Sequence, residues 1–227
     1  MNKSAVLSKI HEADFFFEKL KESSLMPQKS NETEYYLSAF ISAARSFTFT
    51  LKKRCIHNKE FPGFEEWYEN QLTKFEQFEF SDYFKELRNV TQHEGTPEIS
   101  GGSIYTNENG EMVSEIYLSH GKGEFKKLKI PSNFIDESSY YLKILVSIYW
   151  DFLIDYGEKL DPWRVHTLAY LEKNDLKKND LIYSQIENFQ ETYSKELESN
   201  NNFINSKPHY RIDKLFEKYL GINRFKT

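Results

Sequence analysis

Apolar residues recur three and four positions apart along most of this chain, and that period restricts it to helices packed on one another. The clearest run is Leu37, Phe40, Ile41, Ala44, Phe47 and Leu51, which predicts a helix from about residue 31 to residue 53. Ala39, Ala43 and Ala44 are small enough to let a second helix approach closely. Asn31 with Glu34 three residues on has the form of a capping box and marks the start. Ahead of it, Leu7, Ile10, Asp14, Phe17 and Leu20 mark the turns of a helix over residues 4–25, with Phe15 and Phe16 widening its apolar side and Met26-Pro27 ending it. A third helix, over 64–78, is anchored by Trp67, Leu72 and Phe75, and a loop over 55–63 with Pro62-Gly63 precedes it. A fourth, over 83–93, is capped by Ser81 or Asp82, buries Tyr83, Phe84, Leu87 and Val90, and is stopped by Gly95-Thr96-Pro97. Such short connections suit an antiparallel bundle.

The period then changes from helix to strand. Residues 103–106, 113–119 and 125–130 alternate or run apolar over strand lengths, with turn sequences at 107–110 and 120–123. This predicts a small β-hairpin or three-stranded meander inserted at about residues 100–130, too small to stand without the bundle. Helical spacing returns over 136–156 with Tyr140, Tyr141, Ile144, Leu145, Ile148, Tyr149, Phe152 and Leu153. After Gly157 come helices to about 171, over 181–197 and over 210–220, with a polar break at 199–202. The expected fold is mainly α: a helical bundle over residues 1–160 carrying the β insertion, and a helical extension over 161–227.

Composition removes several classes of function. At 227 residues the chain is long enough to bury a core without staples. Its one cysteine, Cys55, excludes a disulfide within the chain and favours a reducing compartment. The first residues contain no signal-like apolar run, and no stretch approaches the roughly 20 apolar residues of a membrane span. The expectation is a cytoplasmic protein with no membrane association. A formal net charge of −5 means that any contact with nucleic acid must come from a local patch. The aromatic share of 16% serves helix packing and base stacking equally well. No zinc spacing, glycine-rich phosphate loop or serine nucleophile elbow occurs, so no metal or cofactor is expected. Asp151 and Asp155 share a helix face but lack a third ligand. Trp163-Arg164-Val165-His166 reads as a docking segment for the tail, with base stacking as its other use. His11, His120 and His209 stand alone, and Cys55 reads as an inert thiol.

The segment richest in chemistry is Arg88-Asn89-Val90-Thr91-Gln92-His93, at the end of the fourth helix. Asn89 and His93 are four apart and share a face, while Arg88 flanks the buried stripe. The helix ends near glycine, so its last turn can fray and the imidazole can turn toward Arg88. The form is Arg-x4-His with a polar residue after the arginine. It resembles the motif of the HEPN family (higher eukaryotes and prokaryotes nucleotide-binding domain), compact helical bundles that share Arg-x4–6-His. Residues 34–46 look like the second helix of many such proteins, and Phe64-Glu65-Glu66-Trp67-Tyr68 like the start of the next. The resemblance covers about the first 95 residues and extends to the fifth helix; the hairpin and the extension lie outside it.

The resemblance implies a metal-independent endoribonuclease that dimerises so that two motifs form one site. It also implies RNA as substrate, roles in stress response or phage defence, and a protein regulator. Arg88, Asn89 and His93 are then the catalytic residues. Gly95 stands where one toxin subgroup carries tyrosine, so the resemblance does not extend to a toxin–antitoxin assignment. The residue types fit the chemistry. Attack by a ribose 2′-OH needs a base, the departing 5′ oxygen needs an acid, and a histidine serves as either. An arginine holds phosphoryl oxygens as charge develops. Asn89 would orient His93 or bind a phosphate. Arg45 points toward the same cleft, and Lys52, Lys53 and Arg54, near His57 and Lys59, are the densest basic cluster that an RNA backbone meets. Plainer readings stand beside these: Arg88 paired with an acidic neighbour such as Asp82, His93 and the basic cluster complementing helix dipoles, and Arg45 in an ion pair. The alternative function is a non-catalytic helical scaffold that dimerises or engages a protein partner.

Overall fold

A computed structural model of the chain describes residues 4–26, 30–93, 98–119, 127–156 and 208–222. Its described elements are α1 (Ser4–Ser24), α2 (Ser30–Cys55), α3 (Phe64–Glu76), α4 (Ser81–His93), β1 (Ile99–Thr106), β2 (Met112–Leu118), α5 (Phe134–Tyr156) and α6 (Pro208–Leu220). The protein is mainly helical, with one small antiparallel sheet, as the apolar periods predict. The chain divides into two compact units, Met1–Leu145 and Val146–Thr227, with the division inside α5.

In the first unit, α1 and α2 pack along their lengths. Ile10, Ala13, Phe17 and Leu20 meet a stripe of Leu37, Phe40, Ala44, Phe47 and Leu51, all of them buried. The rings of Phe17 and Phe40 lie 5.5 Å apart. Ala43 and Ala44 are both buried, consistent with close helix approach at this point. Phe15 departs from the expected stripe: it is 54% exposed, because the wall of α1 that meets α2 is narrower than its run of three phenylalanines. Asn31 is inside α2 rather than at its cap, since the helix begins at Ser30. Glu34 serves another end, accepting the backbone N–H of Ile99 at 3.3 Å and so tying β1 to α2.

An aromatic cluster joins α3, α4 and the start of α5. Phe84 stacks on Tyr141 at 4.6 Å and on Phe134 at 5.3 Å. Phe75 approaches Tyr141 at 5.6 Å and Phe78 approaches Phe84 at 5.5 Å. Offset ring pairs of this kind contribute about 0.5–1.5 kcal/mol beyond area burial. On α3 the buried anchors are Phe64, Tyr68 and Phe75, while Trp67 and Leu72 are only half-buried. Gly63 adopts the left-handed φ of 72° that starts this helix. Tyr68 donates its hydroxyl to the carbonyl of Thr48 at 3.3 Å, fastening α3 to α2.

The sheet is a two-stranded hairpin. Asn107 builds its turn: the side-chain Oδ1 accepts the N–H groups of Asn109 and Glu111, and Gly110 takes the φ of 81° that closes it. Gly102 faces the backbone of β2 so closely that a Cβ would meet the Glu115 carbonyl oxygen at 2.5 Å, which excludes larger residues unless the strands part. Ser114, Ile116 and Leu118 are buried, and Ser24 of α1 bonds Ser114 at 2.5 Å. On the other face Glu115 accepts hydroxyls from Tyr117 at 2.5 Å, Ser103 at 2.9 Å and Tyr105 at 3.3 Å. The expected third strand over 125–130 does not form at its described residues: 127–130 contain no strand, and Lys129 instead pairs with Glu79 at 2.5 Å. Residues 125–126 lie outside the described residues, as do the stop at 95–97, the turn at 120–123, the expected helices over 157–197 and the break at 199–202.

In the second unit, α6 buries Ile212, Leu215 and Phe216. Phe216 packs edge-on against Trp150 at 4.9 Å and stacked against Tyr149 at 6.4 Å. No described helix is long and apolar enough to cross a membrane.

Two predictions follow from this packing. Phe84→Ala should lower stability by about 3–5 kcal/mol, read as a lower urea midpoint with an unchanged slope. The hydroxyl donors of Tyr117 and then Ser103 hold the Glu115 carboxyl below the usual carboxylate range. A group with a lowered folded pKa contributes its stability above its unfolded pKa and loses it as pH falls through the folded one. The hairpin should therefore loosen in acid, below the ordinary carboxylate range. Glu115→Gln should remove that pH dependence in tyrosine NMR signals of the hairpin.

Candidate functional site

The site is built where α2 passes α4. Phe49 projects from α2 away from its buried stripe and is 52% exposed, although Phe40 and Phe47 of the same helix are fully buried. Arg45 stands one turn before it, and its guanidinium carbon lies 4.8 Å from the Phe49 ring centre. Arg88 arrives from α4 and places its guanidinium carbon 5.8 Å from the same ring centre. Cation–π contacts of this kind contribute roughly 0.5–1 kcal/mol each at exposed positions. Neither arginine forms an ion pair among the described residues. The plain reading of Arg88 as the partner of Asp82 is thus not what the structure displays.

Arg45 also acts on a second aromatic residue. Its guanidinium donates a hydrogen bond to the hydroxyl of Tyr141. Burial pushes that phenol up to about 12, against the lowering pull of the Arg45 charge and hydrogen bond. Tyr141 therefore stays neutral at physiological pH and serves as a rigid acceptor. The same positive charge opposes the upward push of burial on the Tyr68 phenol.

The motif itself is spread over two faces of α4. Successive helical residues turn by about 100°, so Arg88 and His93 point roughly 140° apart. Arg88 borders the buried stripe of Tyr83, Phe84 and Leu87 and is half-buried; His93 is exposed in the last turn. Asn89 shares the face of His93, yet its amide Nδ2 donates to Glu86 Oε2 at 2.9 Å. Val90, expected in the stripe, is only half-buried. The structure thus brings Arg45 and Arg88 together around Phe49 and leaves His93 on an outer surface beside Asn89 and Glu86.

In the basic cluster at the end of α2, one lysine is engaged by a carboxylate. Lys52 pairs with Glu69 at 3.2 Å and lies 5.3 Å from the Tyr68 ring centre. Lys53, His57 and Lys59 are exposed, and Arg54 is half-buried. Among the described residues no group of three or more histidine, cysteine or acidic side chains is arranged to hold a metal ion. Asp151 is half-buried and Asp155 exposed; Trp163 to His166 lie outside the described residues. Comparison with protein-family models, with curated proteins and with solved structures finds no match to this chain.

Phe49 is the site residue that helical periodicity passed over. Its signal was its distance from Arg45: four positions, one helical turn, off the buried stripe. Arg88 gave no such signal, because its approach to Phe49 depends on how α4 packs on α2.

Cys55 is fully buried at the end of α2, and burial pushes its thiol up to about 12. The thiolate is the reactive form. Cys55 should therefore resist Ellman's reagent in the native protein at pH 8 and react stoichiometrically once the protein is unfolded in guanidinium.

Proposed function

We propose that the protein is a metal-independent endoribonuclease of HEPN type, acting as a dimer. One observation carries this reading most directly. Two arginines with no ion pair among the described residues converge on an exposed aromatic ring, and one of them begins an Arg-x4-His motif that ends in an exposed histidine. Unneutralised guanidiniums are suited to phosphoryl oxygens, which they hold through paired N–H donors.

The chemistry runs through the ribose 2′-OH. A histidine takes its proton, the 2′ oxygen bonds to phosphorus, and the bond from phosphorus to the 5′ oxygen breaks. A second histidine protonates that oxygen as it leaves. The products are a 2′,3′-cyclic phosphate and a 5′-hydroxyl end. Arg88 holds the phosphoryl oxygens as negative charge builds on them. Each chain supplies one such histidine, so the base and the acid come from the His93 residues of two copies. The separation of Arg88 and His93 around α4 supports this division, because the groups complement one another better across two helices than within one. Asn89, held by Glu86, lines the His93 face. The physiological role in this reading is stress response or defence against phage, with a regulatory protein partner restraining the activity in a cytoplasmic setting.

His93 is exposed, so alanine there leaves the core intact. Pure protein in EDTA should cut mixed RNAs, and His93→Ala should slow cleavage by about 10²–10⁴-fold, the usual contribution of a general acid or base. The rate per chain should fall on dilution below the dimer dissociation constant. Cleavage that survives His93→Ala would sink the mechanism.

A second reading, a non-catalytic scaffold, draws on the hairpin. Met112 is 62% exposed, and Tyr105 and Tyr117 also face outward there. It gains if no RNA is cut by either version while His93→Ala alters assembly.

A further inference from the structure

We infer that Phe49, with Arg45 and Arg88 around it, is a subsite for an unpaired nucleobase and its phosphodiester, so that the protein engages single-stranded rather than duplex RNA. The choice of RNA rests on the reading above; the geometry of the subsite does not.

The argument starts from what a half-exposed phenylalanine gives up. Burying such a side chain fully contributes about 1.5–3 kcal/mol relative to leaving it in water. Phe49 forgoes much of this at 52% exposure, in a helix whose other two phenylalanines are buried. What it does instead is hold two cations, at 4.8 and 5.8 Å from its ring centre. Both guanidiniums are therefore within about one Debye length of each other, roughly 10 Å at 0.1 M salt. Like charges at this separation repel, and among the described residues no carboxylate relieves them by an ion pair. An anion placed between them would.

The anion comes with an aromatic or planar group attached, because the surface around it is aromatic and planar. A nucleobase stacks on phenylalanine rings and on guanidinium planes alike. A nucleotide satisfies both halves of the site at once: its base extends the Phe49 layer and its phosphate takes guanidinium N–H donors. A duplex cannot do so, since its bases are already stacked and paired. Arg45 already lies against the Phe49 ring, and its charge also reaches the Tyr141 hydroxyl, so this half of the subsite is present without a ligand.

The test measures binding apart from cleavage. A fluorescent 2′-O-methyl RNA lacks the attacking hydroxyl, so it reports binding whether or not the protein is a nuclease. The expected result is at least tenfold tighter binding of the single strand than of the same sequence in a duplex. Phe49→Leu, which keeps an apolar side chain, should weaken single-strand binding by about 5- to 100-fold, the usual range for one lost base stack. It should leave the salt dependence unchanged. Arg88→Gln should weaken binding and lower the slope of log affinity against log salt by about 1, as one phosphate contact is lost. Inorganic phosphate should compete only at concentrations far above the oligonucleotide, because it lacks the base.

Equal affinity for single strand and duplex overturns the inference, as does a Phe49→Leu variant that folds normally and binds like the parent. So does displacement of the oligonucleotide by an acidic peptide at equal concentration, or loss of dimerisation as the sole effect of Phe49→Leu. Intact subsite behaviour with no cleavage of natural RNA would reject the nuclease and keep the subsite. Cleavage without it would do the reverse.

Discussion

The buried ring of Tyr141 ties the position of a surface charge to the order of the core. One side of the residue belongs to the aromatic cluster, stacked 4.6 Å from Phe84 and 5.6 Å from Phe75. Its hydroxyl, at the other end, accepts a hydrogen bond from Arg45. A hydroxyl so deeply buried would cost about 1–3 kcal/mol without a partner. Arg45 removes that penalty and, in return, loses the freedom that a long side chain keeps at a surface. Holding an arginine in one rotamer costs up to about 2 kcal/mol of entropy. Here that ordering is done during folding, by a contact that the core needs in any case. The guanidinium lies 4.8 Å from the Phe49 ring centre.

The helix that carries the motif imposes a different constraint. Five residues along α4 amount to more than one turn and less than one and a half, so Arg88 and His93 leave the helix in different directions. Arg88 goes with the buried stripe toward α2, and His93 goes outward. A single chain therefore presents Arg88 and His93 on separate faces. In the endoribonuclease reading proposed above, both serve one substrate when a second α4 lies alongside. The proposed roles would therefore fail differently under substitution: binding at Phe49 and Arg88, turnover at His93.

The elements were legible because their signals are local. Helical spacing located α1 to α5 and α6 within a few residues, and the Asn107-Glu108-Asn109-Gly110 turn located the hairpin through side-chain bonds that four residues can make by themselves. Errors arose where a local pattern met a distant partner. Glu34 looks like a capping residue and instead bonds Ile99, 65 positions later. Residues 125–130 alternate like a strand, yet Lys129 is drawn to Glu79. Trp67, Leu72 and Phe75 read as the anchors of α3; Phe75 is buried, but Trp67 and Leu72 are only half-buried, and Phe64 and Tyr68 are buried in their place. The candidate site divides in the same way. Arg88, Asn89 and His93 form a contiguous segment and could be named from it. Phe49 is defined by two cations from two helices, and only the Arg45 half of that arrangement has a sequence spacing.

The charge balance of the whole chain makes the local arrangement more informative. A protein of net charge −5 has carboxylates to spare, and ion pairs form readily on its surface, as between Lys52 and Glu69. Pairing Arg45 or Arg88 in that way would neutralise the patch and leave nothing for an anion to meet. A phenylalanine orients a guanidinium without neutralising it. The ring contributes its negative face, worth about 0.5–1 kcal/mol per cation at the surface, and the formal charge and the outward N–H donors remain available. The distinction matters for recognition in an acidic protein, whose long-range field does not draw polyanions toward it. The proposed capture then depends on short-range groups already in position, and an aromatic ring 4.8 and 5.8 Å from two arginines supplies charge, planarity and order at one point of the surface.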